Sequence, residues 1–594
     1  MIKKMIVFIV CLSMLMTMGP AFAGTVETEA GYEISQKMMP TYTLIESACL
    51  DEPYYFIEGK KGIPYVEMEE YLTIYNALIL GITTDAQMSL TSYADGDQYA
   101  WVRENGAAMM LDFEEDTITF NNYDAFISRS YALSFVDVLA NQYYDSEGNP
   151  ILFERQEDMS FDRPGEPKVF DLSLYGIDLI CQDGKYYVPL QTIVDIIFAP
   201  HTNYTVLYND EAVFYVGDGL IGSPGPDGQM TLTPLGEIYY SVPARERTEE
   251  EARFGYAELC LMLDHFYGLK DIHQITDFDT VFTQIGFKDA LMSPDAGLAD
   301  IALKAFISLY LDDLHTKFRM PSWMVPDDAE HEVLRTDRSM TKMLNNQKIF
   351  NEARLASNPD GVPHYQEIGN TAYITFDQFD SPVLAGGVEL FYSLTDEQIE
   401  QAALGDPADT IALAIYAHRQ INRDNSPIEN VVLDLSNNIG GGYDIAVFIT
   451  AWFLGIADVA FQEQNTGALS ALAYRADVNL DRVFDEKDVL TDKNLYCLIS
   501  PVSFSCGNLV PACLKSSQQV TMIGRQSGGG SGGVQYESTA WGTFFRISGH
   551  RNISILKNGS FYDTDQGVLP DYYLSKLSSF YDREKLTDII NNMD

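Results

Sequence analysis

The segment LYCLISPVSFSCGN, residues 495–508, holds the pattern that decides the fold of this chain. The apolar run at 495–499 predicts a buried strand, and a helix is predicted to begin near Gly507. Ser505 lies at the corner between them, where the helix dipole and free N–H groups favour a developing negative charge. We therefore take Ser505 as a candidate nucleophile and Ser503 as the second choice. An N-cap serine is the simpler explanation of this segment taken alone.

Strands and helices alternate around this corner. Strands are predicted at Thr371–Phe376, Val431–Leu435 and Val520–Ile523, and helices at Ala408–Ile421 and Ile445–Phe453. Such alternation indicates crossover connections and a partly parallel sheet. We therefore expect residues 355–594 to form an α/β core with a mixed sheet and crossover helices.

Two other segments carry residues that a serine hydrolase needs. VLDLSNNIGG, residues 432–441, is a predicted strand followed by glycines, which let the backbone approach a bound carbonyl closely. LDDLHT, residues 311–316, contains His315, and an imidazole can accept a serine proton near neutral pH. A plain strand-to-helix turn and a surface histidine are the bland explanations of these two segments.

In order and flanking pattern, the three segments together resemble the C-terminal processing (tail-specific) serine peptidases. Asp313-Leu314-His315-Thr316 resembles the Asp-x-His-Thr/Ser element of the tricorn-like branch, which uses serine, histidine and an acid. The resemblance implies a ClpP/crotonase-like core with Ser505 as nucleophile and His315 as general base. It also implies an oxyanion hole made by N–H groups of Gly440 or Gly441 and of Cys506. Too few residues separate His315 from Thr371 for the PDZ domain that many relatives carry.

The general base and its acid partner depart from the family pattern. Where the Ser/Lys branch has its lysine, this chain has Gly530 or Ser531, so a Ser/Lys dyad is unsupported. The glutamate that precedes Gly-Val-x-Pro-Asp in the family falls on Thr564 here. The resemblance therefore makes Asp565 the expected third member of the triad, with Asp563 as the alternative.

The rest of the chain predicts an exported protein of several parts. Lys3 and Lys4, an apolar run and Ala21-Phe22-Ala23 form a signal peptide over residues 1–23. Residues 24–225 are β-rich, and two similar parts suggest a duplicated α+β N-terminal module, either structural or substrate-presenting. The other predicted parts are a Gly- and Pro-rich linker at 226–247 and a helical subdomain carrying the base at 248–330.

Charge and cysteines limit the partners. The formal charge of −48 argues against nucleic acid and anionic membranes as partners. No later stretch reaches the length of a membrane span. Six of the seven cysteines follow the signal peptide, and an even number permits disulfides, although buried thiols are at least as plausible for Cys506 and Cys513. We expect a protein that is secreted or on the extracellular, cell-surface side of the membrane, of unknown oligomeric state.

A loop at residues 477–488 resembles the calcium loop of EF-hands and dockerins. Oxygen-bearing side chains occupy its positions 1, 3, 5, 9 and 12: Asp477, Asn479, Asp481, Asp485 and Asp488. Arg482 stands at position 6, where glycine is expected. The loop predicts a structural calcium at most, and catalysis by the serine site requires no cofactor.

These observations favour a secreted serine endopeptidase that cleaves polypeptide substrates through an acyl-enzyme. A catalytically silent peptide-binding protein of the same fold is the alternative, because the departures from the family pattern cluster at the site. A non-peptide serine hydrolase is a third reading, against which the absence of a Gly-x-Ser-x-Gly elbow speaks.

Overall fold

The computed structural model describes residues 31–43, 49–82, 90–127, 143–145, 147–224, 230–311, 313–326, 338–490 and 492–593. The signal peptide predicted at residues 1–23 lies outside these ranges. Within them, no helix combines the length and the apolar character that a bilayer crossing requires.

The N-terminal part is mostly strand. Its strands are β1 (Ile34–Tyr42), β2 (Cys49–Ile57), β3 (Tyr65–Glu67), β4 (Leu90–Asp95), β5 (Gln98–Arg103), β6 (Ala108–Asp112), β7 (Thr117–Phe120), β8 (Phe153–Arg155), β9 (Phe161–Arg163), β10 (Lys168–Asp171), β11 (Ile180–Gln182), β12 (Lys185–Pro189), β13 (Thr205–Tyr208), β14 (Val213–Val216) and β15 (Gly222–Pro224). Its helices are α1 (Met68–Ile82), α2 (Tyr123–Ile127), α3 (Leu190–Ile193) and α4 (Ala199–Thr202), and a π-helix at Val194–Phe198 joins the last two. Short 3-10 turns lie at Glu157–Met159 and Leu172–Tyr175.

The two similar parts of this region share one sheet. Its order is β11-β12-β3-β2-β1-β14-β13, and β3 of the first part pairs antiparallel with β12 of the second. A second sheet of order β10-β7-β6-β5-β4 packs nearby, and both sheets contribute to one apolar core that includes Tyr71, Trp101 and Phe198. The repeats therefore complete each other rather than folding as separate units.

The middle of the chain is helical, as its 3.6-residue periodicity predicts. It contains β16 (Met230–Leu232), α5 (Pro234–Tyr239), α6 (Glu249–Phe266), α7 (Phe278–Gln284), α8 (Lys288–Leu291), α9 (Ala296–Ala305), a π-helix at Phe306–Tyr310, β17 (Lys317–Met320) and α10 (Arg338–Ser357). A capping box between Thr248 and Glu251 starts α6. The predicted linker at 226–247 needs correction, because β16 pairs with β15 and the Thr233 hydroxyl caps α5.

The C-terminal part is the α/β core. It contains β18 (Tyr365–Ile368), β19 (Thr371–Thr375), α11 (Pro382–Ala385), α12 (Asp396–Leu404), α13 (Thr410–Ile421), β20 (Asn430–Asp434), α14 (Tyr443–Leu454), β21 (Ala457–Glu463), β22 (Leu469–Ala476), β23 (Asn494–Ile499), α15 (Cys506–Ser516), β24 (Val520–Gly524), β25 (Gly532–Ser538), β26 (Phe544–Lys557), β27 (Ser560–Tyr562), β28 (Tyr572–Tyr573), α16 (Ser578–Tyr581) and α17 (Arg583–Asn591). Two 3-10 turns lie at Val388–Ser393 and Glu486–Asp488.

The main sheet of this core has the order β18-β19-β20-β23-β24-β28. Its β19, β20, β23 and β24 are parallel, and β18 is antiparallel, so the sheet is mixed as predicted. Asp434 pairs with Leu498 near the carboxyl ends of β20 and β23. The glycine turn after β20 and the serine corner after β23 therefore lie at the same edge, where open α/β sheets bind their ligands.

A second sheet brings the histidine segment to this edge. Its order is β17-β26-β21-β22-β8, and β25 also pairs with β26. His315 lies two residues before β17, which pairs with the first residues of β26. Strands β8 and β9 of the N-terminal part pair with β22 of the core, so the sheet draws on both ends of the chain.

Candidate active site

Ser505 has a strained backbone, and its hydroxyl does not cap the helix that follows. Its φ is 57° and its ψ is −124°, a conformation that a residue with a side chain rarely adopts. Its N–H donates to the Gly529 carbonyl at 2.9 Å, and its hydroxyl makes no capping bond to α15. Ser505 therefore lacks the side-chain hydrogen bond to a helix N–H that defines an N-cap serine. By contrast, the hydroxyl of the fully buried Ser503 donates to the Leu435 carbonyl at 2.7 Å, which gives it a structural role.

The glycine turn lies directly against the nucleophile. Gly440 and Gly441 have φ values of 105° and 137°, which favour glycine. A Cβ on Gly440 would stand 2.7 Å from the Ser505 Cβ and 3.2 Å from the Cys506 nitrogen. Only a residue without a side chain allows this approach.

Two backbone N–H groups beside Ser505 remain available. In the part of the chain that the structure describes, neither Gly441 N–H nor Cys506 N–H donates a hydrogen bond. The N–H of Gly440 is committed to Asn438 Oδ1 at 2.9 Å, which corrects its inclusion as an oxyanion donor. The Cys506 thiol donates to the Gly441 carbonyl at 3.2 Å and ties the two donor peptides together.

His315 is buried beside the serine corner. Its ring packs on the Phe504 ring, with 4.8 Å between centroids, and its Nδ1 has no hydrogen-bond partner among the described residues. Burial lowers the pKa of His315 to about 4; the Asp313 charge and the Gly532 carbonyl oppose this shift, and Arg546 adds to it. The imidazole is therefore neutral at physiological pH, which is the form that accepts a proton.

Asp313 fixes the backbone that carries His315. Its Oδ1 accepts the His315 N–H and the Ser548 hydroxyl, both at 2.9 Å, and its Oδ2 accepts the Thr316 hydroxyl at 2.5 Å. The Asp-x-His-Thr element thus acts as a turn, and β26 anchors it through Ser548. Asp313 makes no hydrogen bond to the imidazole itself.

The two acid candidates lie close by but do not reach the imidazole. Asp565 Oδ1 accepts the N–H groups of Gly530 and Ser531, both at 3.2 Å. Asp563 Oδ1 accepts the Asp565 N–H and the Ser531 hydroxyl at 2.8 Å each. Burial, with a contribution from the Asp563 charge, raises the pKa of Asp565 to about 6. Ser505, His315 and Asp565 therefore stand in one region without a hydrogen bond linking the three.

Thr564, at the family's glutamate position, is structural. Its carbonyl accepts Asn508 Nδ2 at 3.0 Å, and its hydroxyl pairs with the Ser554 hydroxyl at 2.9 Å. Asn508 Oδ1 in turn accepts the Ser527 hydroxyl at 2.6 Å. This network connects α15 to the loop that carries the two aspartates.

A cavity of about 400 Å³ opens beside the nucleophile corner. Phe504, Gly530 and Asp565 line it on one side, and Met343 and Asn346 of α10 line it on the other. Its walls mix apolar and hydrogen-bonding groups, as a peptide side chain requires. The cavity reaches Phe504, the residue before Ser505, but Ser505 itself does not line it.

The functional role of α10 was missed from sequence. Its Asn351 Oδ1 accepts Asn437 Nδ2 at 2.9 Å, and its Arg354 pairs with Asp377 at 2.7 Å. These contacts hold α10 over the glycine turn. The helix has almost no apolar stripe, so periodicity carries no signal for its position.

Arg583 was also missed. It forms a buried ion pair with Asp434 at the end of β20 and bonds Thr375 Oγ1 at 3.2 Å. The Ser436 hydroxyl donates to the other Asp434 oxygen at 2.6 Å. Ser436 stands where the family has arginine, and here the cation that partners Asp434 comes from the distant α17.

The predicted calcium loop closes on its own backbone. Asp477 accepts N–H groups of Asp481 and Arg482, and Asp488 accepts those of Val478 and Asn479. The described residues contain no group of three or more His, Cys, Asp or Glu side chains arranged to hold a metal ion. Calcium binding by Asp477, Asn479, Asp481, Asp485 and Asp488 stays a prediction from the sequence.

The cysteines in the described part of the chain are free thiols, among them Cys506 and Cys513 in α15. Burial raises the pKa of Cys506 to about 12. Its thiol is therefore protonated at neutral pH and unsuited to nucleophilic attack.

Comparisons with known proteins place the match in the core. The family model described as Peptidase family S41 matches residues 370–574, which include Ser505, the glycine turn and both aspartates. No curated protein matches the chain.

Several solved structures are similar to parts of the chain. The photosystem II D1 C-terminal processing protease is 16% identical over 34% of this chain and 42% of its own, with a TM-score of 0.23. A putative peptidase from Parabacteroides merdae is 14% identical over 53% of this chain and 88% of its own, with a TM-score of 0.35. Mature CPAF complexed with lactacystin is 11% identical over 58% of this chain and 97% of its own, with a TM-score of 0.34. The chain thus spans less than half the length of the D1 processing protease.

Proposed function

We propose that residues 370–574, which match the model of peptidase family S41, form a serine-type peptidase domain in which Ser505 and His315 carry the catalysis. A polypeptide is its substrate class. The proposal extends to an exported endopeptidase of the tricorn-like branch, supported by the signal-peptide pattern at residues 1–23 and the Asp-x-His-Thr element.

The observation that carries the proposal is the environment of Ser505. A strained serine with an unbonded hydroxyl lies at a helix N-terminus, beside two N–H groups that donate to nothing in the described chain. Strain of this kind persists only where surrounding contacts impose it, and it clusters at reactive sites. No structural role of Ser505 explains the arrangement.

The chemistry follows from these groups. Ser505 Oγ attacks the scissile carbonyl carbon while His315 takes the hydroxyl proton. The oxyanion accepts hydrogen bonds from Gly441 and Cys506 N–H. Collapse breaks the C–N bond, and His315 returns its proton to the departing amine. Water then attacks the acyl-enzyme by the same route, giving a carboxylate product and restoring the serine.

Substrate binding is expected to tighten the hydrogen bonds of this site. Such contacts are often long in unliganded enzymes and shorten in the complex. We propose Asp565 as the group that orients the imidazole, with Asp563 as the alternative. Both lie on the loop that holds Gly530 and Ser531.

A second function is favoured by one observation. Because Ser505, His315 and Asp565 are not linked by hydrogen bonds, the same fold would serve a catalytically silent peptide-binding protein. Such a protein would use the cavity between α10 and the serine corner without cleaving its ligand.

A fluorophosphonate probe distinguishes the two functions. Residues 24–594 are compared with Ser505→Ala and His315→Ala, each checked for folding by circular dichroism. We expect labelling of the parent protein and its loss in both variants. The matched controls are Ser516→Ala, an exposed serine of α15, and His364→Ala, which lies outside the site.

A folded parent protein that resists the probe would support the silent peptide-binding function. Labelling that survives in Ser505→Ala would place the nucleophile elsewhere. If Ser505→Ala abolishes labelling but His315→Ala does not, His315 is not the general base.

A further inference from the structure

Phe504, directly before the nucleophile, is held by its backbone on both sides. Its N–H donates to the Asn438 carbonyl at 3.1 Å, and its carbonyl accepts the Gly507 N–H at 2.9 Å. It also forms a parallel bridge with Gly529. The direction of its side chain is therefore set by the same contacts that shape the Ser505 corner.

The Phe504 ring fills the space between Gly530 and His315. A Cβ on Gly530 would stand 2.5 and 2.6 Å from two ring carbons, so only glycine leaves room for the ring. On the other side, the imidazole lies 4.8 Å from the ring centroid at an interplanar angle of 57°. This separation falls in the range of about 4.5–7 Å at which aromatic rings attract each other.

We propose that Phe504 is a positioning residue that holds the His315 imidazole at the serine corner and shields it from water. The proposal rests on the proposed catalytic role of His315. The Ser/Lys relatives are expected to have their lysine base at the position of Gly530. In this chain the Phe504 ring occupies the space beside Gly530 and supports His315, a different base.

Few other contacts define the orientation of the imidazole. Its Nδ1 has no hydrogen-bond partner among the described residues, and Asp313 holds the His315 backbone rather than the ring. The charged groups that act on it are Asp313 of its own turn and Arg546 of β26, and the Gly532 carbonyl of β25 also acts on it. Because burial is the largest cause of the lowered pKa of His315, removing the ring that covers it should raise that pKa.

The test follows the imidazole directly by nuclear magnetic resonance. The titration of His315 is recorded in Ser505→Ala protein with ¹³C-labelled histidine, with His315→Ala used to assign the signal. In the Phe504→Ala variant we expect the midpoint to rise by about two pH units towards the ordinary value of about 6.5. Phe504→Tyr keeps the ring and should keep the original midpoint.

A second measurement uses the active serine. The rate of fluorophosphonate labelling at pH 7.5 should fall at least about tenfold in Phe504→Ala, a partial loss of the roughly 10²–10⁴-fold that a general base contributes, and recover in Phe504→Tyr. The matched control is Phe214→Leu, a fully buried ring of β14 that stacks on Tyr42 and lies outside the site. It should leave both the titration and the labelling rate unchanged.

An unchanged His315 midpoint in Phe504→Ala overturns the inference, even if labelling slows, because the ring would then matter only for packing. If Phe504→Ala does not fold, Phe504→Val, whose short side chain no longer covers the imidazole, takes its place under the same criterion. A parent protein that is never labelled refutes the catalytic proposal. The titration in the Ser505→Ala background does not depend on activity and still decides whether Phe504 governs the imidazole.

Discussion

At the scale of single residues, the reactivity of the site depends on which of its hydroxyl and N–H groups already have hydrogen-bond partners. Gly440 N–H is committed to Asn438, and Gly441 N–H is not. The Ser503 hydroxyl donates to a backbone carbonyl, whereas the Ser505 hydroxyl does not cap the helix that follows it. A nucleophile and an oxyanion donor have to be free in the unliganded protein, so these differences separate the reactive residues from their structural neighbours.

Asp565 and Asp563 can be separated by amide substitution. We expect Asp565→Asn to lower the labelling rate by about 10²-fold or more, because an amide cannot stabilise the imidazolium that forms. Asp563→Asn should have the smaller effect. Since the pKa of Asp565 is raised to about 6, labelling of the parent protein should weaken as the pH falls through 6 and the carboxylate takes up a proton. The rate–pH profile of each variant provides the measurement, and a larger loss in Asp563→Asn would exchange the two roles.

At the scale of elements, distant helices hold the turns of the central sheet. Arg583 of α17 forms an ion pair with Asp434 at the end of β20. Asn351 of α10 accepts a hydrogen bond from Asn437 in the turn that follows. The glycine turn is thus clamped by two helices that lie far from it in sequence. Its backbone geometry is a tertiary property.

The buried ion pair between Arg583 and Asp434 should contribute to stability through this clamp. Breaking a buried pair leaves an uncompensated charge and costs about 3–5 kcal/mol. We expect a loss of this size in Arg583→Met, measured by urea unfolding. The exposed Arg419–Asp396 pair provides the control, and Arg419→Met should cost about 0–1 kcal/mol. Equal losses in the two variants would contradict the clamp.

At the scale of the whole molecule, a group of buried carboxyls connects the three parts of the chain. Asp195 comes from the N-terminal part, Glu258 from the helical part and Glu537 from the core, and each has one oxygen without a hydrogen-bond partner among the described residues. Gln191 links the N-terminal part to the core beside them, donating to Asp195 at 2.7 Å and to the Ser538 hydroxyl at 3.1 Å. Burial raises the pKa of Glu258 and of Glu537 to about 8, and it raises the pKa of Asp195 as well.

Stability should therefore fall as the pH rises. Glu258 and Glu537 keep their protons in the folded protein and lose them near pH 4.5 in the unfolded chain, so their stabilising effect is complete below 4.5 and is lost by about pH 8. Each contributes a slope of about 1.4 kcal/mol per pH unit in that window. We expect Glu258→Gln and Glu537→Gln to flatten the pH dependence of urea unfolding. The exposed Glu249→Gln should not flatten it. An unchanged slope in the buried variants would show that these carboxyls are already ionised in the folded protein.

Local pattern was enough to predict much of the core. The strands at 371–375, 430–434, 494–499 and 520–524, and the helices between them, lie within a few residues of the predicted positions. Apolar periodicity and turn residues act over short distances, so the sequence shows them directly. The predicted junction between a strand and a helix also identified the corner at which Ser505 lies.

The sequence alone thus determined the α/β core, the serine corner, the glycine turn and the histidine segment, because each is a local pattern. Only the tertiary structure decided which N–H groups are free, that Arg583 partners Asp434, and that β8 and β9 complete a sheet of the core. It also placed the Phe504 ring between Gly530 and His315. Most of these features arise from contacts between segments that are not neighbours in the sequence, where side-chain volume and hydrogen-bond competition choose among partners that local sequence leaves equivalent.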